Sequence, residues 1–271
     1  MTRIRLTSDE AAPLPELTAS EPGLATETDP RLLEAKAGRE AASGLRGKVA
    51  LVSGGDHGFG RTAAIELARA GAEVAILYLD GHEDAQETMR EIVELGRETM
   101  ALTGDIGLSS FCDDAVTEVM KRFARIDILV NATFVRDGRA HLENLEDSRI
   151  ERTFRTNIIG QMFLTRAALP HLRRGASIIN TGIDSASGQD WIGIDAAATS
   201  GAIAAFTRAL ATTLAARGIR ANVVAPREDC PAEATGATYV FLAGDGARLM
   251  TGQTLRPDGG SCHGASSLEI D

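Results

Sequence analysis

Four aliphatic residues, Val49-Ala50-Leu51-Val52, run directly into Ser53-Gly54-Gly55-Asp56-His57-Gly58-Phe59-Gly60-Arg61, and no other stretch constrains the chain so tightly. A continuous apolar run suits a strand covered on both faces. Glycines after it can take positive φ, let backbone approach a pyrophosphate, and open a helix whose N-terminus favours anions. A spaced glycine pattern alone is a weak sign. Between a strand and a helix it sits where the motif binds a dinucleotide, so the sequence predicts such a site here. His57 lies inside the loop, where a lone histidine reads as a ribose or phosphate neighbour rather than a catalytic base or metal ligand.

From Lys48 onward aliphatic runs alternate with amphipathic segments, the signature of βαβ units around a parallel sheet. Helices are expected near residues 60–70, 83–95, 149–172 and 196–216, with a helix-like segment at 235–242. Strands are expected at 74–79, 127–131, 177–181, 219–225 and 253–256. The fold class expected is α/β, a single Rossmann-like doubly wound parallel sheet with helices on both faces. That domain should span 48–262, after a partly extended N-terminal arm at 1–47 carrying Pro13, Pro15, Pro22 and Pro30, and before a tail at 263–271.

Composition narrows the function classes. With 28 basic against 38 acidic side chains the net charge is −10, which argues against a nucleic-acid or anionic-membrane surface, since both draw on a clustered positive field. No apolar run approaches the roughly 18 residues that span a bilayer, and Asp9, Glu10, Glu16, Glu21, Glu27 and Asp29 stand where a leader would be apolar. A cytoplasmic protein is expected. Cys112, Cys230 and Cys262 are widely spaced and suggest neither disulfides nor a metal site.

Over about residues 45–260 the chain resembles the short-chain dehydrogenase/reductase family. The family's glycine loop appears as Ser53-Gly54-Gly55-Asp56-His57-Gly58-Phe59-Gly60, its adenine-contacting acid as Asp105 followed by Ile106, and its strand-end motif as Asn131-Ala132-Thr133-Phe134. Phe154-Arg155-Thr156-Asn157 matches the segment that carries the family's structural and catalytic asparagine. Arg220-Ala221-Asn222-Val223-Val224-Ala225-Pro226, Thr251-Gly252-Gln253 and Asp258-Gly259-Gly260 match its last strands. The resemblance implies NAD or NADP as cofactor, held by Ser53, Gly54, Asp56, His57, Gly58, Phe59, Gly60, Asp105, Ile106 and Asn131. Tyr78, Leu79 and Asp80 close the second strand and leave both dinucleotides open.

The family's catalytic pattern departs here. Aligned on Asp195-Ala196-Ala197-Ala198-Thr199-Ser200, Ala196 stands at the family's tyrosine, Ser200 at its lysine and Ile183 at its serine, while Asn157 remains. Hydride transfer to a carbonyl leaves an alkoxide that needs a proton from a group within hydrogen-bond reach. Alanine has none to give, and serine lacks the charge that lowers a phenol's pKa. Asp184 and Asp195 are the acid/base candidates in their place, with Asp190 nearby, although Asp195 also reads as a helix N-cap. Only residues 227–234 follow Pro226 where the family carries a long lid, so an open pocket is expected.

Taken with these departures, the resemblance implies a redox-inactive protein, acting as a binding or partner subunit with a retained but weak NAD or NADP site whose catalytic use is doubtful. A non-redox catalyst of isomerase, lyase or cyclase type is the alternative, and an atypical NAD(P)-dependent oxidoreductase the second. A small-molecule ligand is expected, together with assembly into a homo-oligomer or with a paralogue of the same family.

Overall fold

Side chains of the first strand, β1 (Val49–Ser53), alternate between two cores: Ala50 and Val52 point to one face of the sheet and Leu51 to the other, all without exposure. In this computed structural model, which describes residues 44–138, 140–183, 193–227 and 230–257, the chain continues through α1 (Gly58–Arg69), β2 (Glu73–Tyr78), α2 (His82–Glu94), β3 (Thr99–Thr103), α3 (Ser109–Phe123) and β4 (Ile126–Asn131). There follow α4 (Asp147–Phe154), α5 (Gln161–Ala168), β5 (Leu172–Thr181), α6 (Ile194–Leu214), β6 (Arg220–Val224), α7 (Gly236–Ala243) and β7 (Thr254–Leu255). The strands form one seven-stranded sheet in the order β3-β2-β1-β4-β5-β6-β7, parallel throughout. It is the doubly wound, Rossmann-like sheet expected.

Burial spacing explains the layers. Ala63, Ala64, Leu67 and Ala68 of α1 pack with α2 and α7 on one face, their small side chains bringing the helix close to β1 and β2. Cys112, Ala115, Val116 and Val119 of α3 follow the i, i+3, i+4, i+7 rule and join α5 and the end of α6 on the other face. Cys112 is fully buried and burial pushes its thiol up to about 12, so it behaves as a small apolar side chain. None of the described helices is long and apolar enough to cross a membrane.

Several boundaries differ from expectation. The segment expected to be helical from 149 to 172 is three pieces: α4, a π-turn at Arg155–Gly160, and α5, which ends before Pro170. Proline cannot donate the next helical bond, and Leu172 already pairs with Ile126 as the start of β5. β3 and α3 are additional elements. At the start of the described residues Leu45 is 1% exposed and its amide bonds Ala70 O at 3.1 Å, so it packs on the core, while residues 44, 46 and 47 are exposed. Residues 1–43 and the tail at 263–271 lie outside the described residues.

Candidate functional site

The strand order reverses direction between β1 and β4, and a doubly wound sheet opens its ligand crevice at the carboxyl ends of those two strands. There the chain has a cleft of about 910 Å³, at the upper end of ordinary ligand pockets. Its floor is the glycine loop. The amides of Gly54 and Gly55 bond Leu77 O at 2.8 and 3.2 Å, which fixes the loop to the end of β2. Gly60 packs so closely that a Cβ there would lie 2.0 Å from Gly54 O, so only glycine allows this turn. Gly58, at φ +54°, has nothing within 4 Å of where a Cβ would sit, and the open space lies beside the start of α1. No side chain caps that helix and no acid occupies its first turn, which leaves its N-terminal amides and dipole available to an anion.

Gly54, Asp56, His57, Gly58, Phe59, Asp105 and Ile106 all line the cleft. Asp105 accepts the amide of Gly107 at 2.7 Å on one oxygen. His57 Nδ1 lies 3.0 Å from Asp56 Oδ2; that hydrogen bond and the fields of Asp56 and Asp84 outweigh desolvation and raise the imidazole above its ordinary pKa. Ser53, Gly60 and Asn131 do not face the cleft. Ser53 Oγ accepts the amides of Ala132 and Thr133 at 3.1 and 3.2 Å, joining the ends of β1 and β4. Asn131 Nδ2 donates to Thr165 and Asn180 at 3.0 and 2.8 Å beneath the site. These residues shape the cleft from behind.

Asn157, fully buried in the π-turn, receives the amide of Val135 at 2.7 Å on Oδ1 and donates from Nδ2 to Val135 O and Thr199 Oγ1, both at 3.0 Å. It thereby ties the cleft wall after β4 to α6. Asp195 lies in the first turn of α6, two residues past the N-cap Gly193, so it is not the cap. Arg149 holds both its oxygens at 3.0 and 3.1 Å, and Thr153 donates at 2.9 Å. Burial alone would raise this carboxyl, but the bonds from Arg149, Thr153 and the Ala196 amide outweigh it and lower the pKa, so Asp195 is ionised and has no proton to give at neutral pH. Asp184 and Asp190 lie outside the described residues. Ala196 and Ile183 are 1% and 3% exposed and form an apolar cluster with Phe134 and Ala197, while Ser200 Oγ accepts the Ile183 amide at 3.2 Å. Arg149 and Thr153 escaped the sequence reading; one helical turn apart on α4, they carried only the i, i+4 spacing as a signal.

Residues 48–228 match the family described as short chain dehydrogenase. The uncharacterized oxidoreductase YhdF of Bacillus subtilis (strain 168) is 37% identical over 273 residues, covering 91% of this chain and 94% of that one. The NADPH-dependent aldehyde reductase 1, chloroplastic, of Arabidopsis thaliana is 40% identical over 250 residues, covering 80% and 87%. A solved short chain dehydrogenase from Burkholderia cenocepacia J2315 in complex with NADP is 31% identical with a TM-score of 0.75, covering 80% of this chain and 98% of that one. These likenesses to proteins named for redox chemistry overturn the expectation of a redox-inactive binding or partner subunit, and with it the doubt about catalytic use of a dinucleotide.

Proposed function

The chain belongs to the short-chain dehydrogenase/reductase family, and from that premise we propose that it is an NAD(P)-dependent oxidoreductase acting on a small carbonyl compound or alcohol. The observation that carries this reading is the cleft at the reversal of strand order, where open space over Gly58 adjoins an uncapped helix N-terminus, a cradle that fits a dinucleotide pyrophosphate. The NADPH in the name of the Arabidopsis reductase and the NADP in the Burkholderia structure favour the same class of cofactor here.

When bound, the dinucleotide supplies or accepts the hydride. The chain's own residues do the rest. The amides opening α1 hold the pyrophosphate, Asp105 and Ile106 lie toward the adenine as the family likeness implies, and Asn157 keeps the backbone of Val135 in register along the wall. Phe134 and Ile183 give the reacting end an apolar surface. In this reading Ile183, Ala196 and Ser200 replace the family's serine, tyrosine and lysine, so the proton for the alkoxide comes from water entering the cleft. A positioned general acid is worth roughly 10²–10⁴-fold, and turnover is expected to be slow by that order. The chain is further proposed to self-associate through α6.

The test follows the hydride. With cofactor deuterated at the nicotinamide C4 and a panel of small aldehydes and ketones, mass spectrometry is expected to find deuterium in the alcohol product. Cofactor bound by calorimetry but no label transferred to any carbonyl over a day would overturn the redox reading.

A further inference from the structure

Acids occupy one half of the cleft only. Among the described residues that line it, Asp56, Asp80, Asp84 and Asp105 all lie on the side of the glycine loop, β2 and β3. In a sheet of this order a dinucleotide lies across the reversal of strand order, one mononucleotide on each half. With the adenosine over β2 and β3, the nicotinamide comes over the ends of β4, β5 and β6. There Phe134, just past the end of β4, lines the cleft and is partly buried. Its side chain packs on Ile183 and Ala196 and on Ile203, Val223 and Ala225, joining the ends of β5 and β6 to the first half of α6. Ala196 and Ala225 carry only a methyl each, so the phenyl ring is the large side chain on this floor. The charged groups nearby are directed elsewhere. Asp195 is buried and bonded to Arg149, Arg152 is bonded to Asp137, and Arg136 is exposed.

We infer that the phenyl ring of Phe134 seats the nicotinamide and holds its oxidised, positively charged form more tightly than its reduced form. The inference rests on the dinucleotide reading above and goes beyond it. An aromatic face is electron-rich and attracts a cation through its quadrupole, whereas a neutral ring gains only the weaker contact of two stacked surfaces. With every lining acid on the other half, Phe134 is the group placed to meet the charge. The same contact bears on the reaction. A hydride passing from the nicotinamide C4 to a carbonyl carbon leaves one positive charge on the nicotinamide and one negative charge on the carbonyl oxygen, which takes its proton from water. As the positive charge develops, the phenyl face attracts it more strongly than in the ground state, and a contact of that kind raises turnover. Phe134 is thus a catalytic residue that works by attraction and handles no proton.

Calorimetric titration of the full chain with NADP⁺, NADPH and 2′-phospho-ADP-ribose, the same nucleotide without its nicotinamide, reads this contact with no substrate present. A second series without the 2′-phosphate repeats it for NAD. Phe134→Leu keeps an apolar side chain and removes the aromatic face. It should leave the affinity for 2′-phospho-ADP-ribose within about twofold and weaken NADP⁺ roughly three- to tenfold more than NADPH. Phe134→Tyr, which keeps the face, should bind all three ligands within about twofold of the unmodified chain. Circular dichroism melts check that each variant folds. If the ligands bind but Phe134→Leu fails to weaken the oxidised form more than the reduced one, the inference is overturned while the dinucleotide site stands. A folded Phe134→Tyr that behaves as Phe134→Leu does would overturn it too. If no ligand of either series binds the unmodified chain, the dinucleotide reading fails and the inference with it.

Discussion

Asp195 has Arg149 on both oxygens, Thr153 on one, and the amide of Ala196 besides, so at the scale of one residue its charge fastens α6 to α4. Its pKa is lower folded than unfolded, so it contributes stability above the ordinary carboxylate value near 3.8, lost as pH falls through the folded value. Asp195→Asn should lower the melting temperature at pH 7 by roughly 5 °C, and the difference from the unmodified chain should close as pH falls through the folded value; an undiminished gap in acid would assign the loss to packing instead of charge. Gly58 offers a sharper test of the cleft. Gly58→Trp fills the open space beside α1 and adds a side chain at φ +54°, so calorimetry should find dinucleotide affinity reduced at least a hundredfold. Retained affinity would move the pyrophosphate away from this loop.

Among elements, the π-turn at Arg155–Gly160 carries Asn157, whose side chain bonds both the backbone of Val135 and the hydroxyl of Thr199. Asn157→Ala leaves the Val135 amide and carbonyl without their partner and should cost about 1–3 kcal/mol in a denaturant melt, with weaker dinucleotide binding as the cleft wall loosens. A melt unchanged within error would mean that water replaces the side chain fully. The sheet and the glycine loop could be read from the sequence because strand runs and phosphate loops are local patterns. β3 escaped because its apolar run, Met100-Ala101-Leu102, is short and only half-buried. The partners of Asp195 escaped because Arg149 and Thr153 lie 46 and 42 positions away, and nothing local records so distant an ion pair. Family likeness puts Ser53 and Asn131 among the cofactor residues, and only the packing reveals that their side chains brace the ends of β1, β4 and β5.

For the whole molecule, the balance lies between a net charge of −10, which keeps copies apart, and one helix face that suits close approach. On α6, Ile203, Thr207, Ala211 and Leu214 turn inward, and Ile203 packs on Val223 and Ala225, so it is part of the core rather than of any contact between copies. The opposite side exposes Gly201, Ala205, Ala209 and Thr212, small side chains with the long Arg208 among them, a face that lets a second helix approach within the usual 8–10 Å range. Light scattering at micromolar concentration should therefore give a mass above that of one chain. Ala205→Arg, which lies outside the cleft, should shift the protein toward monomer while leaving dinucleotide affinity within about twofold. Because like net charges oppose the contact, raising salt from about 0.01 M to 0.15 M, where the Debye length shrinks from about 30 to 8 Å, should favour the oligomer. A monomer at both ionic strengths would remove self-association from the account. An oligomer that salt dissociates would mean that charge pairs, rather than this small-residue face, hold the copies together.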